Sequence, residues 1–298
     1  MRLSSATSVL LNYSIQDAVS ILAALGFDGV DIWGGRPHVY RDDYTEAELL
    51  DLRKSIQQKN MVIPSFMPAF FRYPHSLSSP NDKVRGESID YMFRCADNAN
   101  MLGAEVLLVV PGRSLYGQGV EDAFQRLLDS VNQVCDYCKQ YNLKLGVESA
   151  NQAVTDLVVS YKDALKIITE IDHPSLGVVL DSGHLYLNRE DLAEAMENLG
   201  ELILQLHVND NDGEHQQNLI PGDGTFDFHE FINTLDEYSY NGFLSVELGW
   251  EYTIDPEPAL KKSIIRLRDM LMKIQEENSE ETKLQALKPS LDETDASD

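Results

Sequence analysis

Four short apolar runs in the second half of the sequence end in the same way. Lys144-Leu145-Gly146-Val147 runs into Glu148, Gly177-Val178-Val179-Leu180 into Asp181, Leu202-Ile203-Leu204-Gln205-Leu206 into His207, and Phe243-Leu244-Ser245-Val246 into Glu247. Runs of this length are strand-sized rather than helix-sized. A strand of a parallel sheet is buried on both faces, so it reads as a nearly continuous apolar stretch. A ligand-type side chain at the carboxyl end of such a strand lies where an α/β barrel carries its chemistry. Any one of the four, taken alone, reads as a helix cap, a surface acid or a satisfied polar residue. At equivalent places in successive units they point to one shared site.

The rest of the chain alternates in the same rhythm. Leu3-Ser4-Ser5 is a short first strand, and Ser14 with Asp17 opens a capped helix from Ile15 to Leu25. Gly29 to Trp33 is the second strand, Glu46 to Lys59 its helix, and Val62 to Phe66 the third strand, followed by a long loop through Pro80 and a helix from Arg85 to Leu102. Glu105 to Val110 is the fourth strand, and a helix spans Val120 to Tyr141. After the Glu148, Asp181, His207 and Glu247 strands the sequence predicts helices at Tyr161–Ile171, Arg189–Leu199, Phe228–Tyr238 and Pro256–Gln275. Eight strand–helix units describe a single (β/α)8 TIM barrel over residues 1–275. A doubly wound open sheet is the rival, but it usually carries a glycine-rich phosphate turn after its first strand, and none is present here. Residues 276–298 dissolve into Glu, Asp, Ser, Thr and Lys, which predicts an acidic, disordered tail.

Composition narrows the partners. With 24 basic and 49 acidic residues the net charge is −25, which argues against nucleic acid and against anionic membrane surfaces. The three cysteines are too few for a disulfide framework, and Cys135 and Cys138 lie inside a helical pattern with no second pair to complete a zinc site. They read as packing cysteines of a reducing compartment. The first residues show no signal-peptide apolar region and no run is long enough to cross a bilayer, so the expectation is a cytoplasmic protein.

Three carboxylates and one imidazole form a hard, oxygen-rich donor set. It suits Mn²⁺ or Mg²⁺, with Co²⁺ possible, better than a structural zinc. Around this site, Arg36 and His38 follow the second strand, and Arg36, Arg72 and Arg113 lie in loops that can reach the mouth. Trp33, Phe66 and Trp250 sit at or near strand ends, where they serve equally as cavity walls or as core.

The segments Gly29-Val30-Asp31-Ile32-Trp33-Gly34-Gly35-Arg36-Pro37-His38, Val147-Glu148, Leu180-Asp181-Ser182-Gly183-His184, His207-Val208-Asn209-Asp210, Pro221-Gly222-Asp223-Gly224 and Val246-Glu247 carry a family resemblance. From Leu3 to about Leu271 the chain resembles the sugar isomerase/epimerase superfamily of xylose-isomerase-like barrels. Within it, the chain looks most like the ketose 3-epimerase and fructoselysine 3-epimerase group. The resemblance implies that Glu148, Asp181, His207 and Glu247 bind one divalent metal ion, usually Mn²⁺. It also implies that Glu148 and Glu247 act as acid and base in inverting C3 of a ketose through a cis-enediolate. His184 matches a family histidine beside the substrate oxygens, while Trp33, Arg36, His38 and His215 are candidates to contact the sugar. Relatives are usually dimers or tetramers, so a homo-oligomer is expected.

One departure concerns the loop after the seventh strand. Many relatives carry a histidine or arginine shortly before the Pro-Gly, whereas this chain has Asn218-Leu219-Ile220 before Pro221. Either His215 has been displaced by a longer loop, or Asn218 stands in. The same scaffold also supports aldose–ketose or hydroxypyruvate-type isomerisation, inosose dehydration and C-glycoside cleavage. An apurinic endonuclease needs an Asp-x-His after the seventh strand, which is missing, and an intact ligand quartet argues against a non-catalytic binding barrel.

Overall fold

A computed structural model describes residues 1–70 and 74–286. Arg72, one of the loop cations singled out above, lies outside the described residues. Eight parallel strands close on themselves in chain order: β1 Arg2–Ala6, β2 Gly29–Gly34, β3 Ser65–Pro68, β4 Val106–Val109, β5 Lys144–Glu148, β6 Leu176–Asp181, β7 Ile203–Val208 and β8 Phe243–Val246. Around them run α1 Ile15–Leu25, α2 Glu46–Gln57, α3 Asp82–Leu102, α4 Val120–Lys139, α5 Tyr161–Ile171, α6 Ser182–Asn188, α7 Leu192–Leu199, α8 Phe228–Glu237 and α9 Pro256–Ala286. The TIM barrel read from the sequence is therefore the fold.

Strand alternation divides the apolar residues into two compartments. The large one lies between sheet and helices and takes Val30, Ile32, Leu107, Val178 and Leu206 with the inner stripes of the helices. A smaller cluster of Ala6, Met67, Val106, Leu108 and Val179 fills the inside of the barrel, with Trp33 and Leu204 packed against it. Gly177 is required there, because a Cβ at that position would lie 2.5 Å from Leu204 Cγ. Cys135 and Cys138 are buried and free in α4, and burial pushes the Cys138 thiol up to about 12, as packing cysteines should behave.

Element boundaries moved where side chains intervene. β3 starts at Ser65 because Pro64 has no N–H to give the ladder, leaving Val62 with only an isolated bridge to Gly29. α3 starts at Asp82 because the Asn81 side chain accepts from the N–H groups of Lys83 and Val84. Between β6 and α7 an extra helix, α6, begins directly on Asp181 and ends at Arg189, which takes a left-handed φ of 57°. α9 continues past Gln275 to Ala286. Its extension is tied to α8 by Asn278 donating to Asp236 at 2.6 Å and by His229 facing Glu277 at 3.0 Å. Residues 276–286 are thus helical, and the remainder of the acidic tail, 287–298, lies outside the described residues. Among the described residues no helix is long and apolar enough to cross a membrane.

Candidate metal centre

The carboxyl ends of β5, β6 and β7 and the residue after β8 bring Glu148, Asp181, His207 and Glu247 together. One ligand atom from each lies within 4.8 Å of all the others. His207 Nδ1 sits 2.9 Å from Glu148 Oε1 and 2.9 Å from Glu247 Oε2. The backbone explains the meeting: Asp181 is register partner of His207, while Glu148 pairs with Val179 and Glu247 follows the Val208–Val246 pair, so the side chains on neighbouring strands leave the sheet within two residues of one another in register. Asp181 and His207 are fully buried, Glu148 nearly so, and Glu247 keeps 27% of its side chain exposed.

Three acids crowd a low-dielectric space with one imidazole between them. Burial, reinforced by the charges of Glu148 and Glu247 and opposed by His184 and His207, pushes the Asp181 carboxyl up to about 6. Burial also resists a charge on His207, but the two glutamates outweigh it and hold the imidazole well above its usual value. Glu247 is likewise resisted by burial and kept below the ordinary carboxylate range by His207. Among the described residues no Lys or Arg forms an ion pair with any of the three acids. Three carboxylates, one imidazole nitrogen facing them and no basic side chain make a donor set that fits a hard divalent cation.

Neighbouring side chains hold the ligands. Asp181 caps α6, its Oδ1 accepting from the His184 N–H at 2.8 Å, while Oδ2 accepts from Asn209 Nδ2 at 2.6 Å. Ser182 Oγ donates to the Asn209 carbonyl and accepts from its N–H, pinning Asn209 in turn. Gly183 leaves the room for this, since a Cβ there would stand 2.1 Å from Asn209 Oδ1. Asp210 stands outside the quartet. Its carboxylate accepts from the N–H groups of Asn211, Gly222, Gly224 and Phe226 at 2.8–3.1 Å and so folds the loop between β7 and α8.

Above the quartet opens a cavity of about 340 Å³, lined by Trp33, Phe70, Glu148, His184, Gln216 and Glu247 among others. Asn218 lines it too, at φ 50° and with its carbonyl accepting from Gly249 N–H at 2.8 Å. Of the aromatic candidates, Trp33 walls the cavity, Trp250 stands at its edge with 67% exposure, and Phe66 is core. Four candidates from the sequence lie elsewhere. Arg36 is bound through two nitrogens to Asp43 at 2.6 and 2.7 Å and lies over the Tyr40 ring. His38 is buried against Thr7 Oγ1 and the Tyr13 carbonyl. His215 is exposed and paired with Asp212 at 3.0 Å. Arg113 donates to the carbonyls of Gln152 and Ala153.

Sequence reasoning missed Asn151, Gln216 and Asn209 as parts of this site. Asn151 bridges His184 and Gln216. The available signal was positional: Asn151 follows Glu148 at the same interval as His184 follows Asp181.

The family model for the xylose isomerase-like TIM barrel matches residues 19–270. The chain belongs to that family. It is 25% identical to a fructoselysine 3-epimerase of Escherichia coli O157:H7 over 257 residues, covering 86% of this chain and 94% of the relative. Among solved structures, a D-tagatose 3-epimerase-like protein superposes with a TM-score of 0.79 at 23% identity, covering 93% of this chain and 99% of the other. The IOLI protein with a bound zinc atom gives 0.77 at 20% identity, with 92% and 99% covered. At these identities the two structures establish the fold alone.

Proposed function

We propose that this chain is a divalent-metal-dependent sugar epimerase that inverts C3 of a ketose or ketose derivative. The observation that carries the reading is the convergence of Glu148, Asp181, His207 and Glu247 within 4.8 Å at the floor of a cavity of ligand size. The similarity to a fructoselysine 3-epimerase supports the choice of reaction. Mn²⁺ is the preferred ion by the family resemblance, with Mg²⁺ and Co²⁺ as alternatives that the oxygen-rich donor set also suits.

Glu148, Asp181, His207 and Glu247 would hold the ion, which when bound would supply Lewis acidity toward the substrate oxygens. The chain's own residues do the rest. Glu148 and Glu247 each turn one carboxyl oxygen to His207 Nδ1 and line the cavity. Inversion needs one group to take the C3 proton and another to return a proton on the opposite face, and the two glutamates fill those roles. Positioned acid–base groups of this kind are each worth about 10²–10⁴-fold. Trp33 and Phe70 supply apolar walls and His184 a polar contact.

Incubation with Mn²⁺ and a panel of ketoses in D₂O tests the reading. An epimerase exchanges the proton at C3 and leaves C1 unlabelled. Label entering at C1 instead would make the chain an aldose–ketose isomerase, and loss of water would make it a dehydratase.

A further inference from the structure

Asn151 lies three residues beyond Glu148 in the loop after β5, is 6% exposed and spends every polar atom of its amide. Its Oδ1 accepts from the Ala153 backbone N–H at 2.8 Å. A backbone N–H can only donate, so the oxygen must be on that side and the nitrogen on the other. Nδ2 then gives one hydrogen to His184 Nδ1 at 3.0 Å and the second to Gln216 Oε1 at 3.0 Å.

An amide NH₂ has no lone pair to offer, so His184 Nδ1 must be the acceptor and the ring proton resides on Nε2. By the same logic Gln216, whose oxygen is turned to Asn151, has its NH₂ free of that contact. Among the described residues neither His184 Nε2 nor Gln216 Nε2 has a protein hydrogen-bond partner, and both residues line the cavity. We propose that Asn151 is a positioning residue that fixes His184 as the Nε2–H tautomer and orients Gln216, so that both enter the cavity as hydrogen-bond donors. This deepens the epimerase reading and rests on it for its chemical purpose: two donors face oxygens of the sugar, where negative charge grows as the C3 proton leaves. The residue types fit a polyhydroxylated carbonyl substrate, which offers acceptors at every carbon.

Asn151→Asp and Asn151→Ala test it together. An aspartate keeps the acceptor for Ala153 but presents an oxygen to His184 and Gln216, which inverts both partners. Alanine only removes the bias. The ring state is read without turnover, from the imidazole ¹⁵N shifts of His184 in ¹⁵N-labelled, Mg²⁺-loaded protein, with His184→Gln to assign the signals. The expected result is an Nε2–H pattern in the parent and loss of that pattern in Asn151→Asp. In C3 exchange, Asn151→Asp should lose about 10²–10³-fold in kcat/KM, the scale of removing a transition-state donor. Asn151→Ala should lose only about tenfold, with the two variants melting within a few degrees of each other.

An Nδ1–H pattern in the parent overturns the proposal. So does equal loss of exchange in the two variants, which is what a merely structural asparagine would give. If no ketose exchanges its C3 proton but the Nε2–H pattern is present and lost in Asn151→Asp, the positioning role stands and the epimerase reading falls.

Discussion

Asp31 lies inside the barrel with Ser65, Gln205 and Ser245, one inward-facing position before the strand ends that carry His207 and Glu247. Its carboxylate accepts from Ser65 Oγ at 2.7 Å, Gln205 Nε2 at 2.8 Å and Ser245 Oγ at 2.6 Å. A single buried carboxyl group is thereby answered by three neutral donors drawn from three other strands. One layer higher, two carboxylates share His207 Nδ1, and among the described residues only the third, Asp181, takes other donors, from His184 and Asn209. Both groups are buried acids in the same barrel. In the lower one the carboxylate has a donor on each oxygen from the protein itself, while the upper one holds more negative charge than its protein partners balance. A buried acid is thus no sign of chemistry by itself; the sign is a buried acid whose partners leave charge to be met from outside.

Substitutions should separate the two layers. The largest effect belongs above: Glu148→Gln or Glu247→Gln should lower C3 exchange by about 10²–10⁴-fold while the melting temperature moves by only a few degrees, since the relief of acid–acid repulsion offsets the lost pairing with His207, which keeps the other glutamate. In the lower layer the pattern reverses. Asp31→Ala leaves three donors without an acceptor and should cost about 3 kcal/mol of stability by denaturant unfolding, with Mn²⁺ stoichiometry unchanged. Loss of metal binding on Asp31→Ala, with the fold intact, would erase the distinction between the layers.

Stability against pH sharpens it further. Asp181 is raised to about 6 in the folded chain, so the metal-free protein holds a proton there that the unfolded chain has released. Its stability therefore falls as pH climbs from the ordinary carboxylate range through about 6. An ion that binds the ionised carboxyl acts in the opposite sense. The stabilisation by Mn²⁺, about 2.7 kcal/mol at a hundredfold excess over Kd, should be small at pH 5 and open as pH rises through 6. Thermal melts with and without the ion across that range measure it.

The smallest effect lies away from both layers. Burial raises Glu190 to about 7, with Oε1 accepting from Tyr161 N–H at 2.7 Å and Oε2 buried without a partner among the described residues. Ionising it costs stability as pH rises. Glu190→Gln should therefore gain about 1 kcal/mol on the parent between pH 5 and pH 8.

What the sequence made legible follows from the same contrast. Each ligand ends a strand of mostly apolar residues, so the β5–β8 runs announced both the barrel and the quartet. Helices were equally plain, α1 by its Ser14 cap and α5 over Tyr161–Ile171, the range the structure shows. The hidden parts depend on contacts between loops distant in sequence. Asn151 meets Gln216 across the mouth; only the spacing of Asn151 from Glu148 hints at the first, and nothing local marks the second. His38 and Arg36 were placed by sequence in a loop beside the site, but which way that loop faces is set by Thr7, Tyr13 and Asp43. α6 escaped notice because its N-cap is the ligand Asp181 itself, and a residue with two roles gives one signal. α9 outran its apolar stripe because its extension docks through Glu277 and Asn278, polar residues that read as tail.

The most direct measurement is a calorimetric Mn²⁺ titration of the stripped protein beside Asp181→Asn and His207→Ala. One ion per chain in the parent, with affinity at least about a hundredfold weaker in each variant, is the predicted result. A parent that takes up no ion, or variants that bind it as the parent does, would contradict a centre built jointly from the four strand ends.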